Sequence, residues 1–259
     1  MRRKPAVKKK IIPDAKYNEV AVARFINYLM KGGKKSAANG AIMRTVVTGI
    51  PYFWKLNIVE SNTVAICQTT HSDPRCVASC IIVANIIARI LQASMMISVD
   101  AEDDILNLEE IISSSIERGI HYLEAEDQVQ ELYHYTNINQ TLESLELDDP
   151  NSIGYTYKCL GCGLVALRKY GSLKHADDCD DAKLHLEILF SKAISDIARM
   201  GGDADTNACV AGGLLGCYFG FKQGLPDRWL REMPYEIWLE AWVQKLIFMI
   251  DKSTPDAAR

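Results

Sequence analysis

The sequence lacks an apolar run long enough to span a membrane without interruption. Its longest apolar segment, Cys76 to Leu91, is broken by Asn85 and Arg89, whereas a spanning helix needs about 20 consecutive, mostly apolar residues. We therefore expect a buried core helix there. The 259 residues are 48% hydrophobic and 24% charged, which predicts a soluble globular chain that buries a substantial core.

A secretory signal pattern is also lacking before the cysteines, so we expect reduced thiols and a cytoplasmic location, with the nucleus and the mitochondrion as alternatives. Cys159-x-x-Cys162 looks like a metal or redox motif, but a zinc site would need a second ligand pair, and Cys179 with His175 follows a glycine-containing break, in an acidic loop. The aspartates around Cys179 lack EF-hand spacing and its glycine turn, which favours a solvated loop over a calcium site.

Charge is divided unevenly along the chain. Residues 1–38 carry eleven Lys or Arg and two acids, a formal +9, and the remainder carries −13. A basic arm of this kind is typical of segments that contact nucleic-acid phosphates through counterion release. A solubilising tail or a targeting segment is the alternative interpretation.

One polar corner, Gly201 to Asn207, lies between two apolar-periodic segments. Gly201 and Gly202 are predicted to end a helix over Lys183 to Met200, and Asp203 to begin the next helix as its cap. Near exposed helix N–H groups, Asp203 and Asp205 should stay ionised. These carboxylates suit a hard cation such as Mg²⁺, to which Thr206 would add a hydroxyl; simple helix capping is the alternative.

Small residues recur at four-residue spacing in the following helix: Ala208, Gly212, Gly216 and Gly220. This stripe predicts a face where another helix approaches closely. Further helices are expected over Asp104 to Glu124, around Leu132, and over Thr156 to Lys169. At the C-terminus, large side chains in helical register predict a closing core helix: Trp229, Trp238, Trp242, Leu246 and Ile250.

The corner also carries a family resemblance. The segments Gly-Gly-Asp-Ala-Asp-Thr-Asn-Ala, Ala-Gly-Gly-Leu-Leu-Gly and Leu-Pro-Asp-Arg-Trp-Leu resemble the C-terminal signature of the ADP-ribosylglycohydrolases. The resemblance implies an all-α, orthogonally packed helical domain that hydrolyses ADP-ribosyl groups with two Mg²⁺ or Mn²⁺ ions. It also implies that Asp203, Asp205 and Thr206 are metal ligands, with Gly201 and Gly202 beside the bound group.

Three further segments are similar to this family and imply ligand contacts. They are Asn39-Gly40-Ala41-Ile42-Met43-Arg44, Thr69-Thr70-His71-Ser72-Asp73-Pro74-Arg75 and Gly154-Tyr155. The resemblance places Asn39, Gly40, Met43, Arg44, His71, Asp73, Gly154 and Tyr155 around ADP-ribose. The residues alone leave other interpretations open: a plain helix start at Gly40, an acidic partner for Arg44, a structural His71. Asp73 is expected to cap a helix that begins at Pro74.

The head of the chain resembles a different family. Ile-Ile-Pro-Asp-Ala-Lys-Tyr and Val-Ala-Arg-Phe-Ile-Asn-Tyr-Leu-Met-Lys-Gly-Gly look like the N-terminus of small-subunit ribosomal protein seven, over about residues 7–38. This implies ribosomal RNA as a partner of a basic helical extension. We therefore divide the chain into an extension (1–38), a helical domain (39–252) and a tail (253–259).

The glycohydrolase resemblance is incomplete. The Gly-Asp helix start, the Thr-Asp-Asp metal motif and the catalytic acid of the family have no counterpart before Asn39. We therefore assign no catalytic residue and expect a retained fold with impaired hydrolysis, or binding only, in a site holding one or two ions or none. A noncatalytic RNA-associated protein is the alternative function.

Overall fold

The computed structural model describes residues 38–96, 107–174 and 181–253. Within these ranges the chain is helical and has no strand, apart from one isolated antiparallel bridge between Ala38 and Tyr155. The expected all-α class is confirmed. The helices are α1 Gly40–Thr45, α2 Leu56–Gln68, α3 Pro74–Met96, α4 Leu108–Ile120, α5 Glu126–Thr136, α6 Thr156–Gly171, α7 Ala182–Arg199, α8 Ala204–Phe219, α9 Phe221–Gly224, α10 Asp227–Glu232 and α11 Glu236–Ser253, with a 3₁₀ turn at Val46–Gly49.

Helix α3 lies at the centre of the fold and packs against α2, α4, α6 and α8. It is long and apolar enough to cross a membrane by length and composition, but 78% of its most apolar window is buried inside the protein. Its start follows the prediction: Pro74 is the first helical residue, and the Asp73 carboxylate accepts a hydrogen bond from the Arg75 backbone N–H at 3.0 Å. The sequence therefore predicted this helix and its role in the core.

Helices α6 and α8 pack along each other, and glycines allow their close approach. A Cβ at Gly163 would lie 3.1 Å from both Val210 and Leu214. The predicted stripe is only partly right, because a Cβ at Gly212 or Gly216 would make ordinary contacts of 3.5 to 3.9 Å. The tight position is next to the stripe, where a Cβ at Gly213 would lie 2.4 Å from Val46.

A buried carboxylate ties α2, α3 and α4 together. Glu60 accepts two hydrogen bonds from Arg118 at 2.6 and 2.8 Å, one from Asn85 at 3.2 Å and one from Tyr122 at 3.3 Å. Because both carboxylate oxygens have partners, the burial of this charge is compensated.

The C-terminal helix does not close the core, so that prediction was wrong. In α11, Trp238 is 62% and Trp242 52% exposed, and Ile237 is 82% exposed. The helix packs against the short α10. Helical periodicity correctly predicted a helix here, but periodicity does not specify what covers its apolar face.

Candidate ADP-ribosyl site

Two glycines shape the corner between α7 and α8. Gly201 and Gly202 have positive φ values of 71° and 67°, a conformation that side chains other than glycine rarely adopt. A Cβ at Gly202 would lie 2.0 Å from the Leu147 carbonyl oxygen. The backbone therefore turns tightly against the loop before α6, and this turn positions Asp203.

Asp203 does not act as the predicted side-chain cap. It occupies the N-cap position of α8, but its carboxylate caps no N–H of that helix. Its Oδ2 instead accepts a hydrogen bond from Asn39 Nδ2 at 2.7 Å. In the first turn of α8, Asp205 Oδ1 accepts a hydrogen bond from the Thr206 backbone N–H at 2.9 Å. The corner is thus connected to a segment 164 residues away in sequence.

Asn39 is held in place by a third segment. Its backbone N–H donates to the Gly154 carbonyl at 2.9 Å, beside the bridge that joins Ala38 to Tyr155. Gly154 has φ +75°, and a Cβ there would lie 3.6 Å from Asp203 Oδ2 and 3.7 Å from Asn39 Oδ1. Three of the predicted ligand segments therefore meet at one point.

His71 lies against this point with an unused polar atom. Its side chain is only 3% exposed, and its ring is 3.6 Å from the Cβ position of Gly40. The ring Nδ1 pairs with the Thr70 hydroxyl at 2.8 Å, whereas the buried Nε2 has no hydrogen-bond partner in the described part of the chain. Such an atom costs stability unless a ligand satisfies it.

The surroundings of His71 favour one protonation state. Burial lowers its pKa, and the nearby Arg44 lowers it further. Arg44 Nη2 donates to the Thr70 hydroxyl at 2.6 Å, which leaves the hydroxyl hydrogen free to point at His71 Nδ1. The neutral tautomer with hydrogen on Nε2 follows, so His71 offers a buried N–H donor.

Arg44 itself turns away from the acidic groups proposed as its partners. Its Nη2 donates to Thr70 and, at 3.2 Å, to the Ile66 carbonyl at the end of α2. It therefore orients His71 through Thr70. Met43, on the same short helix, is exposed.

Asp73 is paired within its own segment. Arg75 donates to both Asp73 oxygens, from Nε at 3.0 Å and from Nη2 at 2.8 Å. The Arg75 guanidinium lies 5.9 Å from the centroid of the Tyr155 ring and 3.8 Å from Glu131 on α5. The sequence motif gave Arg75 no predicted role, and Glu131 was missed. Residue spacing reveals neither the Arg75–Glu131 ion pair nor the Arg75–Asp73 hydrogen bonds.

Tyr155 belongs to a cluster of tyrosines. Its ring centroid is 5.7 Å from that of Tyr135 and 5.6 Å from that of Tyr157. Its hydroxyl is buried, and burial, then an interaction with the Glu131 carboxylate, raises its pKa. Tyr155 thus contributes a buried polar group near the meeting point.

The corner between α7 and α8 contains few side chains of the types that bind metal ions. Asp203 and Asp205 offer carboxylates and Thr206 a hydroxyl, which are hard oxygen donors of the kind that Mg²⁺ prefers. Within residues 38–96, 107–174 and 181–253, no three His, Cys, Asp or Glu side chains form a metal-binding group.

The alternative zinc motif gains no support from the described part of the chain. Cys159 and Cys162 are buried free thiols, and burial raises the pKa of Cys162 to about 12 and that of Cys159 well above its usual value. Thiols of this kind stay protonated and resemble small apolar side chains. The remaining residues of the zinc and calcium interpretations lie outside the described residues: His175, Cys179, Asp177, Asp178 and Asp180.

A comparison with known families gives a match over most of the chain. The family model of the ADP-ribosylglycohydrolases matches residues 14–255. The chain belongs to this family. The match covers all three segments that meet around Asn39, Gly154 and Asp203, and it begins inside the basic extension.

The ribosomal resemblance is also found among relatives. The small ribosomal subunit protein uS7 of Gemmatimonas aurantiaca is 44% identical over 62 residues, which cover 24% of this chain and 33% of that protein. The uS7 protein of Gluconobacter oxydans is 51% identical over 41 residues, covering 16% and 26%. The chain thus spans about a third or less of these uS7 proteins. Residues 7–37 of the predicted likeness lie outside the described residues.

Proposed function

We propose that this glycohydrolase-family chain binds ADP-ribosyl groups at the meeting point of Asn39, Gly154 and Asp203, and hydrolyses them only slowly. One observation carries the proposal: beside this point, the buried His71 Nε2 has no hydrogen-bond partner among the described residues. The buried Tyr155 hydroxyl lies on the neighbouring segment, which bridges to Ala38. An ADP-ribosyl group carries hydroxyls and phosphate oxygens that accept hydrogen bonds from such donors.

Each residue has a distinct role in this proposal. His71 donates to the ligand, held in its tautomer by Thr70 and Arg44. Asn39 is fixed by the Gly154 carbonyl and the Asp203 carboxylate. The ring and the hydroxyl of Tyr155 line the ligand site. Gly201 and Gly202 act through the backbone turn, and Gly40 lies beside the His71 ring.

Asp203, Asp205 and Thr206 are the proposed ligands of one Mg²⁺ or Mn²⁺ ion, with water filling the remaining positions. A bound ion would stabilise negative charge and orient the ribose hydroxyls. The described residues do not complete a two-ion centre, so no catalytic step is assigned to it. Misplacement of reacting groups by about 1 Å can cost on the order of 100-fold in rate, which supports slow turnover.

A thermal-shift titration tests the binding half of this proposal. A ligand that binds only the folded state raises the midpoint, so ADP-ribose should raise that of the wild type and of His121→Ala, an exposed control. It should leave His71→Ala unshifted. Equal shifts in both variants would remove His71 from the site.

A hydrolysis assay tests the other half. Release of ADP-ribose from a modified substrate with Mg²⁺ should be at least about 100-fold slower than that of a complete family member. Comparable turnover would contradict the proposed impairment.

RNA binding by the basic extension is a second candidate, which rests on the formal charge of +9 over residues 1–38. If the arm contacts RNA phosphates, deleting residues 1–10 should reduce the slope of log affinity against log salt by roughly 4 to 5. An unchanged slope would show that the arm does not contact RNA. The deletion removes six basic residues: Arg2, Arg3, Lys4, Lys8, Lys9 and Lys10. The cytoplasmic location stays a prediction.

A further inference from the structure

Helix α11 presents an exposed apolar surface that nothing in the proposed function uses. The exposed side chains along Glu236–Ser253 include two tryptophans and several large aliphatic residues: Ile237, Trp238, Leu239, Trp242, Val243, Leu246, Ile247 and Met249. Contiguous apolar surfaces of this kind mark interaction sites on soluble proteins.

The spacing on this helix matches a helix-packing seam. Leu239, Trp242, Leu246 and Met249 follow one another at intervals of three, four and three residues, the a/d spacing of paired helices. Trp238 extends the seam, since its ring centroid is 6.1 Å from that of Trp242. The face is therefore shaped to receive another helix lengthwise.

The exposed area is sufficient for a small dimer interface. Buried aromatic side chains cover about 150–250 Å² each, and the half-exposed tryptophans and their aliphatic neighbours together expose on the order of 500 Å². Two such faces would bury on the order of 1,000 Å², about the lower limit of a specific interface. We propose that α11 pairs with α11 of a second copy of this chain.

The charges on α11 favour this occupant over a lipid surface. Interfacial membrane helices carry Lys and Arg on their polar face, whereas the described charges of α11 are Glu236, Glu240 and Lys245. The two acids lie in the first half of the helix. Lys245 lies in the second, with its Nζ 5.0 Å from the centroid of the Trp242 ring. With two acids and one Lys among its described charges, α11 lacks the basic polar face of such membrane helices.

Sedimentation of the full chain tests the pairing. The wild type should pass from a 28.9 kDa monomer to a dimer over micromolar concentrations. Trp242→Glu should raise the dissociation constant by about 30-fold or more, as expected for a central aromatic residue. Tyr133→Glu, which alters an exposed aromatic residue on α5, should leave it unchanged. Circular dichroism would verify that both variants remain helical.

A photo-crosslinker in place of Val243 identifies the occupant. Crosslinks between the α11 segments of two chains support the proposal; crosslinks to residues 1–37 of the same chain overturn it. A wild type that stays monomeric at about 100 µM, or a dimer that Trp242→Glu does not weaken, also overturns it. The proposal is also overturned if the monomer co-floats with phosphatidylcholine–phosphatidylglycerol vesicles and Trp242→Glu abolishes this co-flotation.

Discussion

Helices α8 and α11 are both rich in large apolar residues, yet they occupy opposite environments. On α8, Leu214 and Leu215 are fully buried against the rest of the domain, and glycines let neighbouring helices approach. On α11, the tryptophans and most aliphatic side chains are exposed. Apolar periodicity thus predicts a helix and which of its faces is apolar. Whether that face is buried depends on a packing partner, which periodicity does not identify.

Matched leucine truncations on the two helices should give the largest difference in the free energy of unfolding. Leu214→Ala should lower the free energy of unfolding by about 2–5 kcal/mol, because it leaves a cavity in a packed core. Leu239→Ala on α11 should cost less than about 1 kcal/mol. Chemical denaturation at submicromolar concentration measures both. Equal losses would show that α11 is covered within the monomer.

A glycine pair tests the turn that builds the site. Gly202→Ala should destabilise the fold by about 3 kcal/mol or more, because its φ is positive and its Cβ would meet the Leu147 carbonyl at 2.0 Å. Gly216→Ala, where a Cβ has ordinary contacts at 3.9 Å, should be neutral or stabilising by up to about 1 kcal/mol. Thermal unfolding distinguishes the two, and a harmless Gly202→Ala would refute the described turn.

The acidic corner is expected to affect metal binding and not the fold. Asp203→Asn and Asp205→Asn should each weaken Mn²⁺ binding by at least about tenfold, since loss even of an outer-shell group costs this much. Asp127→Asn, at the exposed start of α5, is the control. Calorimetric titration gives the affinities and circular dichroism the helical content. Unchanged affinities would withdraw the metal assignment, and unfolding would make these residues structural.

The buried His71 should make stability depend on pH. Its folded pKa lies below the unfolded value of about 6.5, so the unfolded chain takes up a proton first as the pH falls. Stability should therefore be complete above pH 6.5 and fall below it, by at most about 1.4 kcal/mol per pH unit. His71→Gln should remove this component, and His121→Gln should not; identical profiles for the two variants would contradict it.

The sequence predicted local structure better than long-range contacts. Glycine and proline signals located the starts of α3 and α8 within a residue, because those signals act through neighbouring backbone. The hydrogen bond from Asn39 to Asp203 joins residues 164 positions apart, and only the family resemblance suggested that their segments share a site. The tight contact of Gly213 with Val46 was missed for the same reason, as four-residue spacing pointed to Gly212 and Gly216.

Calorimetric titration of the wild-type chain with ADP-ribose, with and without Mg²⁺, measures directly whether the proposed site binds this ligand. We expect one ADP-ribose to bind per chain, through the Asn39–Asp203 meeting point and His71, and to bind more tightly when Mg²⁺ is present. The absence of measurable binding in both conditions, from a folded protein at concentrations near 100 µM, would contradict it.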